Sequence, residues 1–268
     1  FYDEGKSAMN VTYDYSGYIV LVTGAASGIG LAAAQAFGRS SAHVILADLS
    51  DDRGHDCTEA IVAQGGSAEF VHLDVASQRE VDNVVAGIVA RHGKLDIAFN
   101  NAGIGGAFGP LTAPKSDEWK RIIDVDLMSV YYCMHAEIRA MERTGGGAIV
   151  NNASVAGIAG IYDSSAYVSA KHGVVGMTRA TAMDYAGRGI RINSVCPGLI
   201  DTPALDLLPR TALERLRTAA PIERAGTTDE IAQAVMWLAS DAASYVIGHA
   251  LPVDGGVAMG GNARHLED

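Results

Sequence analysis

Tyr18-Ile19-Val20-Leu21-Val22-Thr23-Gly24-Ala25-Ala26-Ser27-Gly28-Ile29-Gly30-Leu31-Ala32-Ala33-Ala34-Gln35-Ala36-Phe37 decides the fold of this chain. A short β-branched apolar run enters a glycine turn, and helix-forming, alanine-rich sequence leaves it. Strand, glycine turn and helix make the βα unit that sets a pyrophosphate against backbone N–H groups at a helix N-terminus. Glycine is required where a side chain would block that approach and where the turn needs positive φ. The spacing of Gly24, Gly28 and Gly30 is G-x-x-x-G-x-G rather than G-x-G-x-x-G. Ser27 and Ile29 complete the turn.

Working outward, apolar runs alternate with helical stretches along the whole chain. The runs are Val44–Ala47, Glu69–Leu73, Leu95–Phe99, Ala148–Ala153 and Ile190–Val195. That alternation predicts an α/β fold, a doubly wound parallel sheet with helices on both faces. At 268 residues the chain can bury one large core, and no linker, repeat or charge block divides it. One domain is expected over residues 16–268, with an irregular segment at 199–226. Residues 1–15 precede it as an extension of no clear role.

Tyr167 and Lys171 lie one helical turn apart, so phenol and ammonium project from the same face. A cation beside a phenol stabilises the phenolate and equips it to exchange protons. Ser154 follows the apolar run ending at Ala153 and can supply a hydroxyl nearby. A surface Tyr/Lys pair on an amphipathic helix is the plain alternative.

Together these residues resemble the short-chain dehydrogenase/reductase family, over about Tyr18 to Gly256. Thr23–Gly30 is similar to its cofactor turn, and Asn100-Asn101-Ala102-Gly103 to its Asn-Asn-Ala-Gly strand end. Ser154, Tyr167 and Lys171 stand at its catalytic spacing. Pro197-Gly198, Ile200 and Thr202 resemble the segment closing over the nicotinamide, and Val253-Asp254-Gly255-Gly256 the usual finish. The resemblance implies a Rossmann fold of about seven strands, ending at Ala250–Val253. It implies hydride transfer between nicotinamide and a carbinol carbon, with Tyr167 as general acid/base, Lys171 beside it and on the ribose, and Ser154 on the substrate oxygen. It also implies a homotetramer that pairs Ser116–Met141 and Ala166–Tyr185 across two-fold axes. Val125, Leu127, Met128, Val130, Tyr131 and Tyr132 supply apolar surface for that pairing. One position departs from the pattern: Asp126 stands where many relatives carry asparagine, either as a catalytic-site residue or as a helix-surface contact.

Asp48 closes the second strand run, where an acidic side chain accepts from the adenosine ribose hydroxyls and repels a 2′-phosphate. Leu49 follows it, uncharged. Arg39 and Arg53 read as solvated surface arginines, so NAD is the expected cofactor. Asp74 and Val75 resemble the pair that brackets adenine, with a helix N-cap as the alternative for Asp74. Ile104, Phe108, Ala156, Ile158, Tyr162, Leu205 and Leu208 suggest an apolar pocket without a cation, suited to an uncharged secondary alcohol or ketone. Ala156, Tyr162 and Leu205, with Ser154 and Tyr167, are the expected substrate contacts. A 3-oxoacyl-thioester reductase and a catalytically silent NAD-binding protein are the competing readings.

The net charge of −11 argues against a nucleic-acid partner. Cys57, Cys133 and Cys196 are scattered, as in a reducing, cytoplasmic compartment, and the eight histidines show no local metal-ligand spacing. Tyr15 to Gly38 lacks charge over a length that spans about 30 Å of bilayer. Its polar, small centre Thr23–Gly28 marks it instead as strand and helix of a non-membrane protein.

Overall fold

Val20, Leu21 and Val22 are all buried, because strand β1 (Ile19–Thr23) is covered on both faces. The computed structural model describes residues 11–203, 205, 218 and 220–259. The other strands are β2 (His43–Asp48), β3 (Ser67–His72), β4 (Ile97–Asn100), β5 (Gly147–Asn152), β6 (Ile190–Pro197) and β7 (Ala250–Val253). They form one parallel sheet in the order β3-β2-β1-β4-β5-β6-β7. The order reverses between β1 and β4, and ligands of doubly wound sheets bind in the crevice at such a switch point.

The period of two along the strands divides the core into two layers. Val20, Val22, Val44, Leu46, Phe99 and Val150 face α1 (Gly28–Arg39), α2 (Asp51–Ala63) and α7 (Thr228–Ala239). Ile19, Leu21, Ile45, Ala98, Ile149 and Ile192 face α3 (Gln78–His92), α5 (Ser129–Thr144) and α6 (Ser165–Tyr185). Cys196 lies in this second layer as core, its thiol pushed up to about 11 by burial. Among the described residues, no helix is long and apolar enough to cross a membrane.

Three local expectations need correction. Tyr15 belongs to the fold rather than to an extension: it is 3% exposed, packs edge-on against Phe37, and its hydroxyl donates to Met236 O. The helix expected over Ser116–Met141 is two, α4 (Ser116–Ile123) and α5, joined by a wide π turn at Asp124–Met128. Over the turn and the start of α5, Val130 is core, while Val125, Leu127, Met128 and Tyr132 are half-buried, leaving Tyr131 the exposed member of that set. The apolar excess read there is therefore mostly ordinary packing. Residues 1–10 and half of the segment 199–226, including Leu208, lie outside the described residues.

Candidate active site

The glycine turn is a cradle that side chains would fill. A Cβ on Gly30 would fall 2.2 Å from Gly24 O, and one on Gly24, at φ +63°, 2.9 Å from Ala102 Cα. Ser27 begins α1 without a side-chain cap, and no acidic residue lies in the first turn. The opening N–H groups of that helix lack intrahelical partners and are free for an anion. The far wall is fastened to this turn. Asn101 N donates to Thr23 Oγ1 (3.0 Å), and its Nδ2 donates to Thr23 O (3.0 Å) and Gly24 O (3.2 Å). Asn101 thus staples β4 to β1, while Ala102 N also donates to Thr23 Oγ1.

A cleft of about 500 Å³ opens above this staple, lined among others by Gly28, Ile29, Asp48, Leu49, Ala102, Gly103 and Thr202. Asp48 is held rigidly at its end: Oδ2 accepts from Ala26 N (2.9 Å) and Oδ1 from Ser50 N (3.0 Å). Arg53 is a surface arginine, as expected, and stands at the rim of the cleft with Nε 3.3 Å from Ser50 Oγ. Val75 and Asp74 border the adjoining hollow with Leu49. Asp74 is not the helix cap; Ser77 is, accepting from Glu80 N, while Asp74 Oδ1 accepts from Ala76 N.

Tyr167, Lys171 and Ser154 converge where this cleft continues over β5. Ser154 and Tyr167 line one adjoining hollow with Pro197, Gly198, Ile200, Thr202 and Leu205. Tyr167 and Lys171 line a second with Gly103, Ile104 and Phe108. Lys171 Nζ lies 5.5 Å from the Tyr167 ring centroid and donates to Asn152 O at 3.0 Å. Ser154 Oγ accepts from Ala156 N at 3.1 Å, which leaves its own hydrogen to donate.

For Asp126 the structure decides between the two sequence readings. The π turn carries it inward, where it is wholly buried, with Oδ1 3.5 Å from Lys171 Nζ and accepting from Ile104 N at 3.1 Å. It is no helix-surface contact. Burial raises its pKa above the ordinary aspartate range, against the pull of the Lys171 ammonium and the Ile104 N–H. Gly103 is glycine for the same reason, since a Cβ there would meet Asp126 Oδ1 at 2.6 Å.

Residues 24–258 match the family model described as Enoyl-(Acyl carrier protein) reductase. The chain is 42% identical to cyclohexanol dehydrogenase of Acinetobacter sp. (strain SE19), covering 90% of this chain and 95% of that protein. The chain belongs to the short-chain dehydrogenase/reductase family. It is also 43% identical to 2,5-dichloro-2,5-cyclohexadiene-1,4-diol dehydrogenase of Sphingobium indicum (strain DSM 16412 / CCM 7286 / MTCC 6364 / B90A), over 91% of this chain and 98% of that one. The crystal structure of levodione reductase superposes with a TM-score of 0.88 at 35% identity, over 92% and 99% of the two chains. That of a putative NAD(P)-dependent gluconate 5-dehydrogenase from Beutenbergia cavernae, with bound NADP at low occupancy, superposes with 0.87 at 34% identity, over 92% and 98%.

This short-chain dehydrogenase/reductase is therefore an oxidoreductase, and its family binds a nicotinamide dinucleotide. The cradle fits such a group: small residues at Gly24, Gly28 and Gly30, an uncapped helix N-terminus, and a carboxylate at the far end. On the substrate side the structure is more selective than the sequence reading. Ile104, Phe108 and Leu205 line the hollows beside Tyr167. Ala156 is wholly buried and packs as core, Ile158 packs against the core, and Tyr162, 97% exposed, points to solvent. Leu199, the first residue of the expected substrate segment 199–226, lines the site, and Asn152 lines it without having been anticipated. Asn152 carries no sequence signal of its own, because its main-chain carbonyl does the holding.

Beneath the site lies a buried polar chain. Asn100 Nδ2 donates to Glu137 Oε2 and to Asn151 Oδ1, both at 3.0 Å, and Asn151 Nδ2 to Thr178 Oγ1 at 2.9 Å. Burial pushes Glu137 up to about 8, opposed by the Asn100 bond. Asn100 Oδ1 and Glu137 Oε1 are buried without hydrogen-bond partners.

Proposed function

We propose that this oxidoreductase interconverts a secondary alcohol and its ketone with NAD, on an uncharged, largely apolar and cyclic substrate. What supports the reading above all is the meeting of Ser154, Tyr167 and Lys171 at the mouth of the cleft that the glycine turn opens. When bound, the nicotinamide supplies or takes the hydride. Tyr167 is the general acid/base, moving the alcohol proton at its phenol oxygen. Ser154 donates its hydroxyl hydrogen to the substrate oxygen, since its lone pair is engaged by Ala156 N–H. Lys171 directs one N–H to Asn152 O and one towards Asp126 Oδ1, leaving the third for the cleft. Asp126 acts through Lys171 and is a positioning residue.

Asp48 supports NAD over NADP, because its locked carboxylate would face a 2′-phosphate with like charge. The cyclic alcohols named for the two relatives, together with apolar Ile104, Phe108 and Leu205, support the substrate class. Three free thiols accord with a cytoplasmic setting, and family membership with a homotetramer, which light scattering at micromolar concentration tests.

The deciding measurement is absorbance at 340 nm with NAD⁺ or NADP⁺ and a panel of cyclic secondary alcohols, with a 3-oxoacyl thioester and NADPH alongside. Cyclohexanol-type turnover with NAD⁺ is expected, and Asp48→Ala narrows the cofactor ratio. Preferred use of the thioester with NADPH would replace this reading with the reductase alternative and point to Arg53 as the phosphate contact. Cofactor binding without any turnover would leave the silent-binder reading.

A further inference from the structure

The end of the sheet opposite the catalytic cleft carries a second cluster of ligating side chains. His43 opens β2, Glu69 lies in β3, and His92 ends α3. Parallel register pairs His43 with Ser67 and Ile45 with Glu69, so by alternation His43, Ser67 and Glu69 share one face of the sheet. α3 packs on that face through Val81, Val85 and Ile88, and its last turn returns His92 to the start of the strands. The distance along β2 to Asp48 is about 16 Å.

The chemistry of the cluster is that of a metal site. His43 Nδ1 lies 2.7 Å from Ser67 Oγ, an outer hydrogen bond of the kind that fixes a ligating imidazole's orientation and tautomer. Its other nitrogen, Nε2, is buried and has no hydrogen-bond partner. His92 Nε2 lies 3.2 Å from Glu69 Oε1, and the two imidazole centroids are 4.6 Å apart. One ligand atom from each of the three residues falls within 4.8 Å of the others.

We propose that His43 Nε2, Glu69 and His92 Nε2 bind a divalent transition-metal ion of the zinc class. Two imidazoles and a carboxylate suit zinc or nickel better than magnesium or calcium, which prefer all-oxygen shells. Donors around a tetrahedral zinc, at bonds of about 2.0–2.1 Å, stand about 3.4 Å apart, so small side-chain rotations close the set. Glu69 and His92 are partly exposed, which leaves room for them. Three protein ligands leave one position for water. Sequence spacing conceals this site because each ligand comes from a different element and only the parallel register brings them together. The ion would tie the edge strand β3 to β2 and to the end of α3.

Arg91 gives the proposal a sign of its own. Its Nη2 lies 2.7 Å from Glu69 Oε1, so its guanidinium competes with the ion for the same carboxylate. Removing it should strengthen metal binding, although it removes an ion pair.

The test uses the untagged full chain, stripped with a chelator and titrated with zinc by calorimetry, with thermal melting alongside. One zinc per chain is expected, with a micromolar or lower Kd. Zinc at a hundredfold excess over Kd shifts the folding equilibrium about a hundredfold, read as a Tm rise of a few degrees. His43→Ala, Glu69→Gln and His92→Gln should each weaken binding at least about tenfold, and Arg91→Gln should tighten it several-fold. Oxidoreductase turnover should stay at its wild-type level in all four, which also verifies folding. If His43→Ala fails to fold, His92→Gln decides alone, since it changes only a helix end. No saturable zinc uptake, or uptake unchanged in the histidine variants, overturns the proposal, as does weaker zinc binding by Arg91→Gln.

Discussion

The two banks of the cleft are built differently. On the cofactor bank, the polar side chains are tied to main chain: Asp48 to Ala26 and Ser50, Asn101 to Thr23 and Gly24, and Thr23 to Asn101 and Ala102. On the substrate bank, the loop after β4 meets the loop before α6 through one main-chain bond, Gly109 N to Asp163 O at 2.8 Å, and the Gly109–Ser164 bridge. Ala107 (φ +53°) and Asp163 (φ +55°), non-glycine residues in the left-handed region, stand on this bank. Phe108, Leu111, Ile161 and Tyr162 are exposed there, and Phe108 is 65% so. A rigid bank holds a constant partner, while a loosely tied apolar bank lets sequence choose among substrates.

The comparison breaks first at Tyr167, where the banks meet. Tyr167→Phe should lower kcat by about 10²–10⁴ while the cofactor Kd stays nearly unchanged. A variant keeping a tenth of wild-type kcat would show that the phenol is not the acid/base. On the rigid bank, Gly30→Ala should cost about 1–3 kcal/mol of stability through its clash with Gly24 O, along with cofactor affinity. Melting curves with and without NAD check it; an unshifted Tm would mean that the turn is not the fixed frame described.

Glu137 sharpens the contrast from below. Its folded pKa of about 8 exceeds the ordinary glutamate value of 4.5, so the folded state holds this proton more tightly than the unfolded state. Stability from this group is therefore complete below about 4.5 and declines as pH rises towards about 8. Glu137→Gln, which mimics the neutral acid, should flatten that decline in chemical denaturation at a series of pH values. Equal slopes in the two proteins would reject it.

The smallest effects belong to Asp126 and Phe108. Asp126→Asn should change kcat less than about tenfold, or about 1.4 kcal/mol, because the isosteric amide still faces Lys171 and can accept from Ile104 N–H. Activity that appears only in Asp126→Asn would favour the silent-binder reading. Phe108→Ala should raise KM for an apolar ring substrate severalfold, about 1 kcal/mol for a partly exposed contact, with kcat near wild type. A fall in kcat with unchanged KM would move Phe108 from the loose bank to the chemistry.

Much of this was legible in the chain itself because its signals are local. β1, the glycine turn and α1 follow one another within a few turns of backbone, and Tyr167 and Lys171 share one helical face. Hydrophobic runs alone predicted the parallel layers, since strands buried on both faces lack polar alternation. What the chain alone did not determine depends on contacts between distant elements. The inward turn of Asp126 arises from a π turn whose residues look helical in sequence. The core role of Ala156 and the exposure of Tyr162 depend on how one loop lies against β5 and α6, and the His43–Glu69–His92 cluster on strand register. Periodicity and spacing describe a segment against its own neighbours, whereas burial and ligand convergence are properties of packing between segments. The sequence by itself therefore determined the fold and the placing of Tyr167 beside Lys171, and the tertiary structure alone decided which side chains are buried together.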